Sequence, residues 1–240
     1  MRELEKHYPQ HGELVCGSRN RAAKADDAFL VWGVAPSPLA ERAIRWMLSL
    51  YAAEDGPSRR VFYSCYAGTH TSVVASAVHL GLLDEEKDLS RLPYFDTRAM
   101  GEIGIPAFMG ADPNGTEVYA MGTGWLFREL EAVLCDLVQV ANPKAFLCIC
   151  NVRGFLDLQA KIGGFLSRRF SLVSPGRRLI AASLRRKLPE IERAVAYCLD
   201  LSSKWKDNEK NARGEVVWVD GSKQGRPGCR GEAGEPGRIS

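Results

Sequence analysis

Chemistry is concentrated in one short stretch of the 240-residue chain. Cys65-Tyr66-Ala67-Gly68-Thr69-His70-Thr71-Ser72 gathers a thiol, an imidazole and three aliphatic hydroxyls around a glycine. A run of β-branched and aromatic residues, Val61 to Ser64, precedes it, and Ser72 to Leu83 follows with helical spacing. A strand-to-helix loop of this kind suits an anion. The backbone N–H groups of Gly68 to Ser72 become the unpaired donors of a helix start, the helix dipole favours negative charge there, and Thr69, Thr71 and Ser72 add hydroxyl donors. The same field favours the thiolate form of Cys65, the form that attacks or accepts a phosphoryl group. His70 adds a side chain type that ordinarily titrates near neutrality, so it can pair with a phosphate or pass a proton. Cys65 and His70 are therefore the candidate catalytic residues, and Gly68, Thr69, Thr71 and Ser72 the candidate anion ligands. The plainer alternatives are a small core cysteine and a solvated loop histidine.

A second set of candidates lies in the basic stretch Lys161 to Lys187, with Arg168-Arg169, Arg177-Arg178 and Arg185-Arg186-Lys187 at spaced intervals. Lys161, Arg168 and Arg169 are the residues expected to face an anion; a solvated basic face is the alternative. Aromatic residues do not interleave these charges, which disfavours single-stranded nucleic acid as the partner. Gly163-Gly164 inside a helical pattern costs about 1 kcal/mol per residue against alanine and points to a close backbone approach. Asn151 ends an apolar strand at the edge where α/β folds hold ligands, so it is a candidate polar contact. Gly122-Thr123-Gly124 is a candidate for further N–H donors, and His79 reads as a packed or half-exposed helix residue rather than a ligand. Cys148 and Cys150 alternate within an apolar strand and read as core; with no Cys-x2-Cys pair, no metal is expected. Walker-type and Gly-x-Ser-x-Gly motifs are absent, and no cofactor is expected.

The elements that must position these residues form an alternating pattern. Val61–Ser64 and Ala145–Cys150 read as central strands, and Trp125–Val140 as an amphipathic helix burying Leu126, Leu130, Val133, Leu134 and Leu137. Ile103–Met109 and Glu117–Met121 flank Ala111-Asp112-Pro113-Asn114-Gly115, which has the residues of a turn. Ser37 caps a helix with Pro38 in its first turn and Leu39, Ala43, Trp46, Met47, Leu50 and Tyr51 on one face. Ala160–Phe170, Leu179–Leu188 and Glu190–Leu201 read as three helices, broken at Ser174-Pro175-Gly176 and at Pro189. The expected fold is α/β: a three-layer domain with a mainly parallel sheet and a small antiparallel addition. Residues 1–58 are expected to be an N-terminal extension with a short buried strand or a hydrophobic hook at Ala28–Val34 and the helix capped by Ser37. Residues 59–203 form the core domain. Residues 204–240 form a mostly disordered Gly/Pro/charged tail, with an edge strand at Glu215–Val219.

A net charge of +3 is too small to imply nucleic acid or membrane as partner. No apolar run reaches the roughly 20 residues of a membrane span, and Met1–Gln10 does not resemble a signal peptide, so a cytoplasmic location is expected. The odd number of cysteines, seven, mostly in apolar segments, suits reduced thiols.

The loop Cys65 to Ser72 resembles the phosphocysteine loop of lactose/cellobiose-type IIB components of the sugar phosphotransferase system, which runs Cys-Ser-Ala-Gly-Met-Ser-Thr-Ser. Cys65, Ala67, Gly68, Thr71 and Ser72 match in register. It also resembles the low-molecular-weight tyrosine phosphatase loop Cys-x5-Arg-Ser, with Thr71 where the arginine stands, a departure that argues against ordinary phosphatase chemistry. A longer resemblance runs from Val61 to Leu201. Tyr63-Ser64-Cys65-Tyr66-Ala67-Gly68-Thr69-His70-Thr71-Ser72, then Val78-His79-Leu80-Gly81-Leu82-Leu83, then Lys161-Ile162-Gly163-Gly164-Phe165-Leu166-Ser167-Arg168-Arg169 resemble an uncharacterised bacterial domain-of-unknown-function family of spore-forming Gram-positive bacteria. That resemblance implies no activity, and makes the residues before Arg59 and after Ser203 additions to the family core. The expected function is binding of a phosphate or phosphorylated small molecule, or another anion, at the Cys65 loop, with phosphocysteine or thiolate chemistry. The alternatives are a non-catalytic regulatory protein tied to sporulation, and a nucleotide or nucleic-acid partner held by residues 161–187.

Overall fold

A strand as apolar as Val61-Phe62-Tyr63 can be covered on both faces only inside a layered sheet. In the computed structural model, which describes residues 37–51, 58–83, 88–98, 100–156, 173–207 and 214–223, this run forms β1 (Arg59–Cys65), the middle strand of five. β2 (Ala107–Ala111) and β3 (Glu117–Gly122) are antiparallel, with an irregularity between Phe108 and Gly110. β4 (Phe146–Asn151) and β5 (Glu215–Asp220) complete the order β2-β3-β1-β4-β5, in which β3, β1, β4 and β5 are mutually parallel. The fold is therefore α/β with a mainly parallel sheet and one antiparallel pair, as the sequence pattern implied. Strand register sets which residues share the carboxyl edge of the sheet. Cys65 lies beside Gly122, and Ser64, Asn151 and Asp220 stand in line across β1, β4 and β5.

Side chains alternate along β1, so Val61, Tyr63 and Cys65 point to one face and Phe62 to the other. The first face is covered by α2 (Thr71–His79) and α4 (Val173–Asp207), the second by α1 (Pro38–Tyr51) and α3 (Phe127–Ala141). Ser37 starts α1 as expected, its Oγ accepting from Ala40 N at 3.2 Å. The buried stripe of α1 is Ala40, Ala43, Ile44, Met47 and Tyr51. Leu39, Trp46 and Leu50, expected on that stripe, are only half-buried: the Trp46 ring lies edge-on to Tyr119 and Phe62 at the side of the contact. α1 belongs to the stretch expected as an extension, yet it shares a core with α3, and Tyr51 lies under the Arg60 guanidinium at 4.5 Å. β5, in the stretch expected as a tail, is hydrogen-bonded along β4.

Two expected helices, Leu179–Leu188 and Glu190–Leu201, are one. α4 runs unbroken through Pro189. Proline there lacks the N–H that would bond a carbonyl one turn back, but Leu184, Leu188, Ile191, Ala194 and Val195 are all buried against the sheet and carry the helix across the gap. Ser174-Pro175-Gly176, expected as a break, falls in the first turn of α4, where a missing N–H has no helical acceptor to lose. Ala28–Val34, Ala160–Phe170 and the tail beyond residue 223 lie outside the described residues. Among the described residues no helix is long and apolar enough to cross a membrane.

Candidate functional site

Cys65 is the last residue of β1 and is 3% exposed. The chain must reverse within five residues to start α2, and Gly68 makes this possible with φ +73°. That turn brings Gly68 N–H to 3.2 Å from Cys65 Sγ, and the first turn of α2 sets Ser72 Oγ at 3.2 Å from the same sulfur. Both groups are able to stabilise sulfur carrying negative charge. The loop is locked from below by the end of β3. A Cβ on Gly68 would lie 2.5 Å from Gly122 N, and one on Gly122 would lie 2.6 Å from Ala67 C, so the two backbones cross where no side chain fits. Thr123 N donates to Cys65 O at 3.0 Å and Gly124 N to Tyr66 O at 2.9 Å. Two of the N–H groups expected as anion donors, those of Thr123 and Gly124, therefore hold the loop instead.

Thr69 and Thr71 are buried, and their hydroxyl oxygens have no hydrogen-bond partner among the described residues. A buried hydroxyl left unpaired costs about 1–3 kcal/mol, so two of them in one loop call for a reason. His70 is buried as well, which excludes the solvated alternative. Its Nε2 meets Asp96 Oδ1 at 3.1 Å and its ring stands edge-on to Phe95 at 5.5 Å. Asp96 has φ +55°, its N–H donates to Thr69 O at 3.1 Å, and its other carboxylate oxygen lies 3.8 Å from Arg177 Nε. Arg177 also donates to Phe95 O at 2.9 Å. His70 is thus the inner end of a His70–Asp96–Arg177 chain that ties the loop to α4.

Among the described residues, Arg153 brings a cation to the side of the loop next to Cys65, and it is not one of the residues expected in that role. Arg153 stands just past β4, and its guanidinium lies 5.6 Å over the Tyr66 ring and 4.1 Å over Phe127 while donating to Gly124 O. Burial lowers its pKa from the ordinary value, and the acidic groups it faces, Glu131 first and then Cys65 and Tyr66, act in the opposite sense. Lys161, Arg168 and Arg169 lie outside the described residues, as does Gly163-Gly164. Farther along that stretch, Arg178, Arg185 and Arg186 are exposed on α4 and Lys187 pairs with Glu190 at 2.8 Å.

Glu131 is a fully buried carboxylate on α3, at the carboxyl edge of the sheet. It accepts from Ser64 Oγ at 2.5 Å, from Asn151 Nδ2 at 3.0 Å on both oxygens, from Trp218 Nε1 at 2.7 Å and from Thr123 Oγ1 at 3.4 Å. One carboxylate therefore joins β1, the segment after β3, β4 and β5. Asn151, singled out as an edge residue, is engaged on both sides: its amide holds Glu131 and its Oδ1 accepts from Arg153 N at 3.1 Å. It ties the Glu131 carboxylate to the backbone at Arg153. Glu131 went unnoticed in the sequence, although an acid one position after Leu130 on the apolar side of a helix is a signal; Arg153 had the same kind of signal, two residues beyond Asn151.

The strand cysteines are core, as expected, and of the two readings of His79 the buried one holds. Tyr63 Oη and His79 Nδ1 are 2.8 Å apart, Asp112 Oδ2 lies 3.6 Å from Nε2, and burial lowers the His79 pKa. A sulfur–sulfur contact between Cys148 and Cys198 raises the Cys148 pKa, with burial acting in the same direction; burial pushes Cys135 up to about 12. Among the described residues no group of three or more His, Cys, Asp or Glu side chains is arranged to hold a metal.

Comparison with known families matches residues 60–198 to the family described as Protein of unknown function (DUF3189). No curated protein and no solved structure matches the chain.

Proposed function

We propose that this chain, which belongs to the DUF3189 family, holds a phosphate or phosphate monoester at the start of α2 and uses Cys65 as the acceptor of the phosphoryl group. The observation that carries this reading is the pair of groups on one sulfur, Gly68 N–H and Ser72 Oγ, with two buried and unpaired threonine hydroxyls in the same loop. Catalytic thiolates are stabilised in this manner, by a backbone donor and a hydroxyl at a helix start. Structural cysteines in apolar cores, such as Cys148, have neither.

In this reading the oxyanion takes the N–H groups at the head of α2 and the hydroxyls of Thr69 and Thr71, and Arg153 supplies the positive charge. The Cys65 thiolate donates its electron pair to phosphorus, the S–P bond forms, and the P–O bond to the leaving group breaks. The leaving oxygen keeps that electron pair and takes a proton from the His70–Asp96 pair. Inorganic phosphate titrated calorimetrically into wild type, Arg153→Ala and Cys65→Ser tests the binding half; intact-mass analysis after incubation with phenyl phosphate tests the transfer half. Expected are saturable binding in wild type, a loss of about tenfold or more in Arg153→Ala, and a phosphoryl adduct absent from Cys65→Ser. Absence of phosphate binding in folded wild type overturns the reading. Binding without an adduct reduces it to recognition alone.

A further inference from the structure

The site's rim is aromatic. Trp125 is 75% exposed, the most exposed of the large apolar side chains described, and sits two residues before α3. Its exposure does not come from a loose backbone. The flanking Gly124 donates to Tyr66 O and accepts from Arg153, and Leu126 O accepts the first α3 bond from Leu130 at 2.8 Å. The indole stands edge-on to Tyr66, with centroids 5.4 Å apart, and Tyr66 is the residue after Cys65. Arg153 then lies over both Tyr66 and Phe127. A solvent-facing indole on a hydrogen-bonded stretch of backbone, a phenol and a guanidinium form one ledge that begins at the residue next to the sulfur.

Resting on the phosphoryl reading of this site, we infer that it selects phosphate monoesters whose leaving group carries an aromatic ring, and that Trp125 is the residue that selects them. Leaving an indole in water is unfavourable by the hydrophobic effect, and a planar ring bound against it removes that surface from water. Arg153 serves both parts of such a ligand, by charge at the phosphate end and by its planar cation at the ring end. A leaving group without a ring takes only the first. The shared chemistry, phosphate plus ring, is offered both by aryl esters and by nucleoside monophosphates.

The test uses the full chain and four small probes: inorganic phosphate, cyclohexyl phosphate, phenyl phosphate and adenosine monophosphate. Dissociation constants are measured for wild type, Trp125→Ala and Trp125→Phe. Stacking on an exposed aromatic supplies about a tenfold gain in affinity, so phenyl phosphate is expected to bind about tenfold tighter than phosphate. The ratio should approach one in Trp125→Ala and be retained in Trp125→Phe, with cyclohexyl phosphate gaining less than phenyl phosphate. Adenosine monophosphate gaining more than phenyl phosphate assigns the ring to a nucleotide; the reverse assigns it to an aryl ester. Equal affinities for phosphate and every ester in wild type overturn the inference and leave the phosphate site standing, as does a ratio unaltered by Trp125→Ala. Failure of phosphate itself to bind overturns the phosphoryl reading instead.

Discussion

Replacing Glu131 with glutamine changes one buried atom from an acceptor to a donor, in a place where four groups donate. The best orientation puts the new amide nitrogen at the Oε1 position, because the Ser64 and Thr123 hydroxyls on that side can rotate to accept, while Trp218 and Asn151 still donate to the oxygen at Oε2. The second Asn151 contact, to Oε1, then sets donor against donor. Three short bonds, from Ser64, Asn151 and Trp218, lose their charge assistance, about 1 kcal/mol each, and the opposed donors cost about 1–3 kcal/mol more. The gross loss is thus about 5 kcal/mol, and release from burying a carboxylate, worth several kcal/mol, offsets about half of it. A net loss of about 2–3 kcal/mol results, which for a chain of this size lowers Tm by roughly 4–12 °C. Urea unfolding followed by circular dichroism measures it. Trp218→Phe alone and combined with Glu131→Gln provides the control, since the combined loss should fall short of the sum when the two side chains interact. A Glu131→Gln variant within about 0.5 kcal/mol of wild type, the range of an ordinary surface change, would refute the claim that this carboxylate organises the sheet edge.

The same geometry sets two further outcomes. Gly122→Ala places a methyl 2.6 Å from Ala67 C and 2.7 Å from Ala67 O, both backbone atoms that cannot turn aside; we expect a loss of about 2 kcal/mol or more in urea and weaker phosphate binding, and wild-type values for both would show that the crossing is not rigid. His79 has its pKa lowered by burial, so below about pH 6.5 the unfolded chain takes up a proton that the folded chain resists. Its contribution to stability is therefore complete above about pH 6.5 and is lost as pH falls towards the lowered folded value. The urea midpoint should drop between pH 7.5 and 5.5 by more in wild type than in His79→Gln, and parallel curves would remove His79 as the cause.

The parts of this architecture that were legible in the sequence are those written in local pattern. β1 and β4 are continuous apolar runs, α3 has a 3.6-residue period, and the loop at Cys65 brings its donors within eight residues. What was not legible depends on which strands become neighbours. β1 lies between β3 and β4, so Gly122 meets Gly68 and Arg153 reaches Tyr66, although each pair is separated by more than 50 positions in the chain. Periodicity carries no information about such adjacency. Pro189 failed as a boundary for a related reason: its local penalty is set against the burial of an entire helix face, which is a tertiary quantity.

The same distinction bears on the place of the cation. A loop of the form Cys-x5-Arg-Ser carries its guanidinium in the loop itself, but position 71 here is fully buried, and a longer, charged side chain there would have to be taken out of water. Threonine fits that space, and in the phosphoryl reading the positive charge comes instead from Arg153 at the end of the adjacent strand. The consequence is mechanical. In the phosphoryl reading, sulfur and cation are held by different strands, so their spacing depends on β1 staying in register with β4. Beside the backbone bond from Val152 N to Ser64 O, a side-chain connection supports this register at the edge, running from Ser64 to Glu131 to Asn151 to the backbone of Arg153. Glu131→Gln should therefore weaken phosphate binding as well as stability, even though Glu131 is itself an anion and its loss would, by charge alone, strengthen it. Tighter phosphate binding in that variant would mean that repulsion outweighs positioning, and that Arg153 is held without help from Glu131.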